Sequence, residues 1–234
     1  MDYAAKYPLR SLLGSQREDL YPKFGVGLLQ LSHQNYDFAK QYPCDDFPIT
    51  AEHTDHCAIF RVEPLLYKGI GLRQEKKVTV DDCAITVDYC YENVGSKALV
   101  LEEYCHNFVS LNGAPIDRHH HLKMPMLPSQ EGLESKIPGG SLIGTKDGFS
   151  FKDTCVTPAL IEARMPDKSD MAAPFQWTLY TDGKSCQITE ETNADVHHVV
   201  VWAMNHIVSP EIVTRFSLLP NQRHSYQRKW TFAP

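Results

Sequence analysis

The sharpest pair of chemically equipped residues in this sequence stand far apart, His106 in Glu103-Tyr104-Cys105-His106-Asn107-Phe108 and Glu211 in Ser209-Pro210-Glu211. An imidazole with an ordinary pKa of about 6.5 gives or takes a proton near neutral pH, and a carboxylate is its natural complementary base. Taken alone, Glu211 with Arg215 reads more simply as a surface ion pair, which contributes little to stability. His119-His120-His121 draws the eye as a metal cluster, but neighbours on a strand point to opposite faces, so at most His119 and His121 could share an ion. The next glutamate, Glu131, lies beyond Met-Pro and Leu-Pro steps, so the triplet reads as a polar loop or groove rim and no metal site is expected. Glu52-His53-Thr54-Asp55-His56 reads as an exposed polar turn.

The elements that would carry these groups show a period of two from about residue 57 onward, the signature of strands. In the run from Cys83 to Tyr91, Cys83, Ile85, Val87, Tyr89 and Tyr91 share one face, and Asn93-Val94-Gly95-Ser96 supplies a turn. The next strand, Ala98 to Leu111, places Val100, Glu102, Tyr104, His106 and Phe108 on one face and Leu101, Glu103, Cys105, Asn107 and Val109 on the other. Polar groups on both faces suggest an element that lines a groove. Further strands are predicted at Gly148 to Asp153, Phe175 to Tyr180, Cys186 to Thr192, His198 to Met204, Glu211 to Leu218 and Ser225 to Phe232. Pro125 to Gly144 reads as a long loop, and helical periodicity is weak throughout.

The 234 residues carry no linker-like stretch, so one all-β domain spanning 1–234 is expected. A net charge of −6 with scattered basic residues speaks against nucleic acid as a partner. No stretch reads as a bilayer span and Met1 to Arg10 lacks the apolar centre of a secretory signal, so no membrane and a cytoplasmic location are expected. Seven cysteines form no CxxC pair and are odd in number, which fits buried thiols better than a disulfide framework. Gly25-Val26-Gly27 lacks the rest of a dinucleotide fingerprint, and no phosphate cradle or nucleophile elbow is present, so no cofactor is implied.

Lys23-Phe24-Gly25-Val26-Gly27-Leu28-Leu29, Gln74 to Val80 with Ile85 to Asn93, Glu103 to Phe108, and Ser209-Pro210-Glu211 followed by Pro220-Asn221-Gln222 together resemble, in order, segments of galactose mutarotase-like (aldose 1-epimerase-like) proteins of the less characterised branch. The resemblance implies a β-supersandwich of large antiparallel sheets with a monosaccharide or short oligosaccharide lying across one sheet face. It implies that His106 protonates the ring oxygen and Glu211 takes the anomeric hydroxyl proton, without metal or cofactor. Tyr104, Asn107, Arg215, His53 and His206 are the implied sugar contacts, with His56 a further candidate for the second histidine. The strands that precede Lys23–Leu29 in relatives, and the sugar-binding arginine one of them carries, have no assignable counterpart. A carbohydrate-binding module or sugar sensor without turnover is therefore the alternative to an isomerase, and an exposed sheet edge invites a homodimer.

Overall fold

Alternating apolar and polar residues make almost every described segment a strand, because a half-buried pleated surface is where that pattern hides its apolar side. The structure, a computed structural model, describes residues 20–31, 36, 37, 40–125, 133–135, 141–164, 174–184 and 186–233. Strands β1 (Leu20–Lys23), β2 (Gly27–Gln30) and β3 (Cys44–Asp46) form a small antiparallel sheet. There follow β4 (Ile49–His53), β5 (Cys57–Val62), β6 (Leu72–Asp81), β7 (Ala84–Asn93), β8 (Leu99–Glu103), β9 (His120–Lys123), β10 (Leu133–Ser135), β11 (Leu142–Thr145) and β12 (Gly148–Phe151). The chain continues through β13 (Ala159–Arg164), β14 (Phe175–Thr181), β15 (Gln187–Thr192), β16 (Val196–Met204), β17 (Ile207–Leu218) and β18 (Arg223–Ala233).

Ten of these make one long antiparallel sheet in the order β11-β12-β9-β14-β15-β18-β7-β6-β5-β4, and five make a second in the order β10-β13-β16-β17-β8. The two sheets bury their facing sides against each other. Leu122, Trp177, Leu179 and Ile188 from the long sheet share a core with Val199, Val201, Ala203, Val208 and Ile212 from the short one. A second apolar cluster packs Tyr89, Tyr91 and Tyr226 against Phe216, Leu218 and residues of β1–β3, with Tyr89 and Tyr226 stacked at 4.8 Å. The β7–β8 turn is locked by Asn93, whose carboxamide donates to the Lys97 and Leu218 carbonyls at 2.8 and 3.0 Å. Gly95 is required there because a Cβ would lie 2.4 Å from the Gly69 carbonyl oxygen.

Several sequence expectations change in the folded chain. The strand expected over Ala98 to Leu111 pairs continuously only from Leu99 to Glu103, with a single further bridge at Val109, and its alternation continues between them. The strand expected to begin at Glu211 begins at Ile207 and runs through Pro210. The His119–His121 segment is not a loop: His120 starts β9, which lies between β12 and β14. Within 125–144, β10 and part of β11 replace the expected loop, while 126–132 and 136–140 lie outside the described residues, as does the Met1 to Arg10 segment. All seven cysteines are free, yet only Cys155 is fully buried and Cys83 is exposed, because most of the others sit on half-covered sheet faces.

Candidate functional site

The face of the short sheet turned away from the core carries a different set of side chains. Because β16 and β17 are antiparallel, Val200 stands opposite Glu211, His198 opposite Val213 and Trp202 opposite Ser209. On the other side of β17, β8 pairs at Glu103↔Thr214 and the chain pairs again at Val109↔Val208. The same register holds at both ends, so it places His106 opposite Glu211, Tyr104 opposite Val213 and Phe108 opposite Ser209. Three adjacent stretches thus present a patch of side chains on one face. All of these but the buried Ser209, together with Glu102 and Leu160, line a groove of about 400 Å³, within the range of small-molecule sites.

At the centre His106 Nδ1 lies 2.7 Å from Glu211 Oε1. The same oxygen accepts the Ser209 hydroxyl at 3.0 Å. An ionised carboxylate only accepts hydrogen bonds, so the imidazole carries its hydrogen on Nδ1 and keeps Nε2 for a ligand. Glu211 is 8% exposed and His106 35%, which sets the carboxylate in the floor and the imidazole at the surface. Aromatic rings surround the pair. Tyr104 meets His106 edge-on at 5.1 Å, Phe108 stacks on it at 5.5 Å, and Trp202 meets Phe108 edge-on at 5.7 Å.

Beneath the groove lies a buried charge cluster. Arg228, fully buried, donates to Glu103 Oε2 at 2.9 Å and to Glu190 Oε1 at 3.1 Å. Tyr226 donates its hydroxyl to Glu103, and Trp177 donates its indole N–H to Glu190 Oε2 at 2.6 Å. Burial pushes the Glu190 carboxyl above its usual range, with Arg228 the strongest opposing influence. The Lys76 ammonium, near Glu103 and 5.2 Å above the Tyr89 ring, is lowered to about 8, chiefly by desolvation.

The sequence candidates divide accordingly. His106, Glu211 and Tyr104 come together in the groove. Arg215 stands on the same face one rung further along β17, 3.9 Å from Glu102, at the rim. Asn107 is not in the groove: strand alternation turns it inward, where it is buried and bonds to Glu190 and the Pro210 carbonyl. His53 is exposed on β4, the outermost strand of the other sheet, and His56 is exposed just beyond it. His206 is exposed in the β16–β17 turn, past the end of the groove. His119 and His121 both bond to Asp182, at 2.7 and 2.8 Å, on the long sheet.

Sequence reading overlooked Trp202 and His198, whose spacing on β16 matched the groove face but whose neighbour β17 could not be assigned in advance. It grouped Glu102 and Phe108 with His106 without naming them as contacts.

The architecture has known counterparts. A provisionally assigned aldose 1-epimerase of Escherichia coli superimposes with a TM-score of 0.57 at 10% identity, over 94% of this chain and 79% of that one. A galactose mutarotase-like protein from Lactobacillus casei gives 0.53 at 14% identity, over 93% and 81%. The chain has the galactose mutarotase-like fold. An aldose epimerase homologue from C. elegans gives 0.53 at 11% identity, over 93% and 81%. Neither a protein-family model nor a curated protein matches by sequence. At these identities the likeness concerns the galactose mutarotase-like architecture, and chemistry must be argued from the groove itself. Among the described residues no helix is long and apolar enough to cross a membrane.

Proposed function

We propose that this protein is a carbohydrate-active isomerase that interconverts sugar anomers by acid–base ring opening, with Glu211 and His106 as the reacting groups. The observation that carries the reading is the 2.7 Å His106–Glu211 contact at the centre of an aromatic-lined groove. Glu211 Oε1 already holds His106 and Ser209, which leaves Oε2 for the anomeric hydroxyl proton. His106 Nε2, in the imidazolium form, protonates the ring oxygen as the C1–O5 bond breaks. The carboxylate gains the proton of O1 while the imidazolium loses one to O5, so charge is conserved within the pair. Rotation about C1–C2 presents the other carbonyl face, and the same groups run the closure in reverse. Phe108 and Trp202 offer apolar ring surfaces against which the C–H faces of a sugar can pack. A cytoplasmic setting and a monosaccharide or short oligosaccharide ligand belong to the same reading.

A second reading, a sugar-binding module or sensor without turnover, is favoured by one feature: the groove-lining set contains no arginine or lysine. NMR exchange spectroscopy of α/β interconversion for glucose, galactose and uronic acids separates the two. Acceleration that Glu211→Gln and His106→Ala both abolish supports the isomerase. Saturable binding without acceleration sinks it and favours the module.

A further inference from the structure

We propose that Asn107 is the positioning residue of the groove: where the backbone ladder is broken at Pro210, its buried carboxamide takes the Pro210 carbonyl in place of a backbone N–H, and thereby sets His106 against Glu211. The inference rests on these two being the reactive pair, but not on any sugar being turned over.

The physical case starts with the gap in the sheet. Val109 and Val208 exchange backbone hydrogen bonds of 2.9 and 3.0 Å. Bonded pairs recur at every second residue of an antiparallel ladder, so Asn107–Pro210 and Cys105–Ile212 should follow. Proline has no N–H, so the donor to the Asn107 carbonyl is missing, and continuous pairing resumes only at Glu103–Thr214. Side chains take over both β17 carbonyls within the gap. Asn107 Nδ2 donates to Pro210 O at 2.8 Å, and Arg228 Nη2 donates to Ile212 O at 3.0 Å.

Asn107 does more than fill a vacancy in the ladder. Its amide nitrogen also donates to Glu190 Oε2 at 2.7 Å, on β15 of the opposite sheet. Glu190 is itself fixed by Trp177 and Arg228 and has no solvent exposure. One carboxamide therefore ties the long sheet to the short one at the rung below the groove. Its chain neighbour is His106, and the chain neighbour of its acceptor Pro210 is Glu211. Both reactive side chains emerge one residue from the two ends of a single hydrogen bond, on the opposite face. Where the backbone ladder is absent, that bond is the local constraint on their separation.

The test reads the His106 ring by long-range ¹H–¹⁵N NMR, above its titration, in wild type, Asn107→Leu and Trp177→Phe. Trp177→Phe removes a bond to the same Glu190 oxygen without touching Pro210, so it serves as the control for lost stability alone. The wild type should show the Nδ1–H tautomer held by Glu211, and Asn107→Leu should lose that signature. Trp177→Phe should lower the melting temperature and keep it. Asn107→Ser, whose shorter side chain cannot span to both acceptors, should lose the signature too, and it decides the matter if the leucine variant does not fold. Retention of the Nδ1–H form in either Asn107 variant, its loss in Trp177→Phe, or its absence from the wild type would overturn the proposal. Loss confined to the Asn107 variants, in a protein that accelerates no anomer exchange, would uphold the positioning role while removing the isomerase reading.

Discussion

Replacing Arg228 with methionine removes the cation between Glu103 and Glu190 and fills most of its volume with apolar atoms. Breaking one buried ion pair costs about 3–5 kcal/mol, because the remaining charge stays desolvated. Two carboxylates lose their cation here, but Glu103 keeps the Tyr226 hydroxyl, and Glu190 keeps the Trp177 indole and Asn107 carboxamide. A loss of about 4 kcal/mol is therefore expected. For 234 residues the unfolding entropy is about 0.5 kcal/mol/K, so the melting temperature should fall by about 8 °C. The loss should depend on pH. The Glu190 carboxyl is already raised above its ordinary 4.5 by burial, and without Arg228 it rises further. A carboxyl raised in the folded state carries no penalty below its unfolded value, and the penalty grows as pH climbs from there toward the folded value. Urea unfolding at pH 5 and pH 8 should accordingly show a smaller deficit at pH 5. Equal deficits at both, or a loss below about 1 kcal/mol, would refute the claim that a desolvated charge cluster holds the two sheets together beneath the groove.

Other consequences are open to direct measurement. Lys76→Met should stabilise the protein by about 3 kcal/mol at pH 7, since the folded chain holds this ammonium down to about 8 against an ordinary 10.5. The sign follows from linkage: the wild-type penalty is full below the folded value and disappears as pH rises to the unfolded one, so the gain should vanish near pH 10.5, checked by denaturant melts across that range. Gly148→Ala should cost about 2 kcal/mol or more, because φ is +138° and a Cβ would stand 2.1 Å from the Leu122 carbonyl oxygen; calorimetry reads it directly. Trp202→Ala should weaken sugar binding by roughly tenfold, the scale of one lost aromatic contact, with little change in melting temperature, as followed by isothermal titration.

The fold was legible because the sheet pattern is local. Val87, Tyr89 and Tyr91 announce a buried face by alternation alone, and Asn93 with Gly95 announces the turn that follows. The pairing of His106 with Glu211 was legible in a different way, through two short motifs whose resemblance suggested a common site. The fate of Asn107 was not legible: its neighbours on both sides are groove residues, and only the alternation taken together with the direction of the core decides that it points inward. The histidines at 53 and 206 lie away from the groove for the converse reason. Residue type marks them as useful, but strand order sends β4 to the far edge of the other sheet and leaves His206 in a turn.

The sequence by itself determined most of the strands from residue 57 onward, their apolar faces and the chemical character of the His106 and Glu211 side chains, all of which depend on side-chain type and a period of two. Tertiary structure decided which strands are neighbours. The register of β17 between β16 and the segment after β8 turns residues more than a hundred positions apart into one hydrogen-bonded pair. Pro210 interrupts the backbone ladder, and only the tertiary structure puts opposite its carbonyl the Asn107 carboxamide, itself held by a buried glutamate that an arginine from a further strand pairs. Long-range pairing of this kind is written in no local pattern, because its free energy comes from burying two sheets against each other at once.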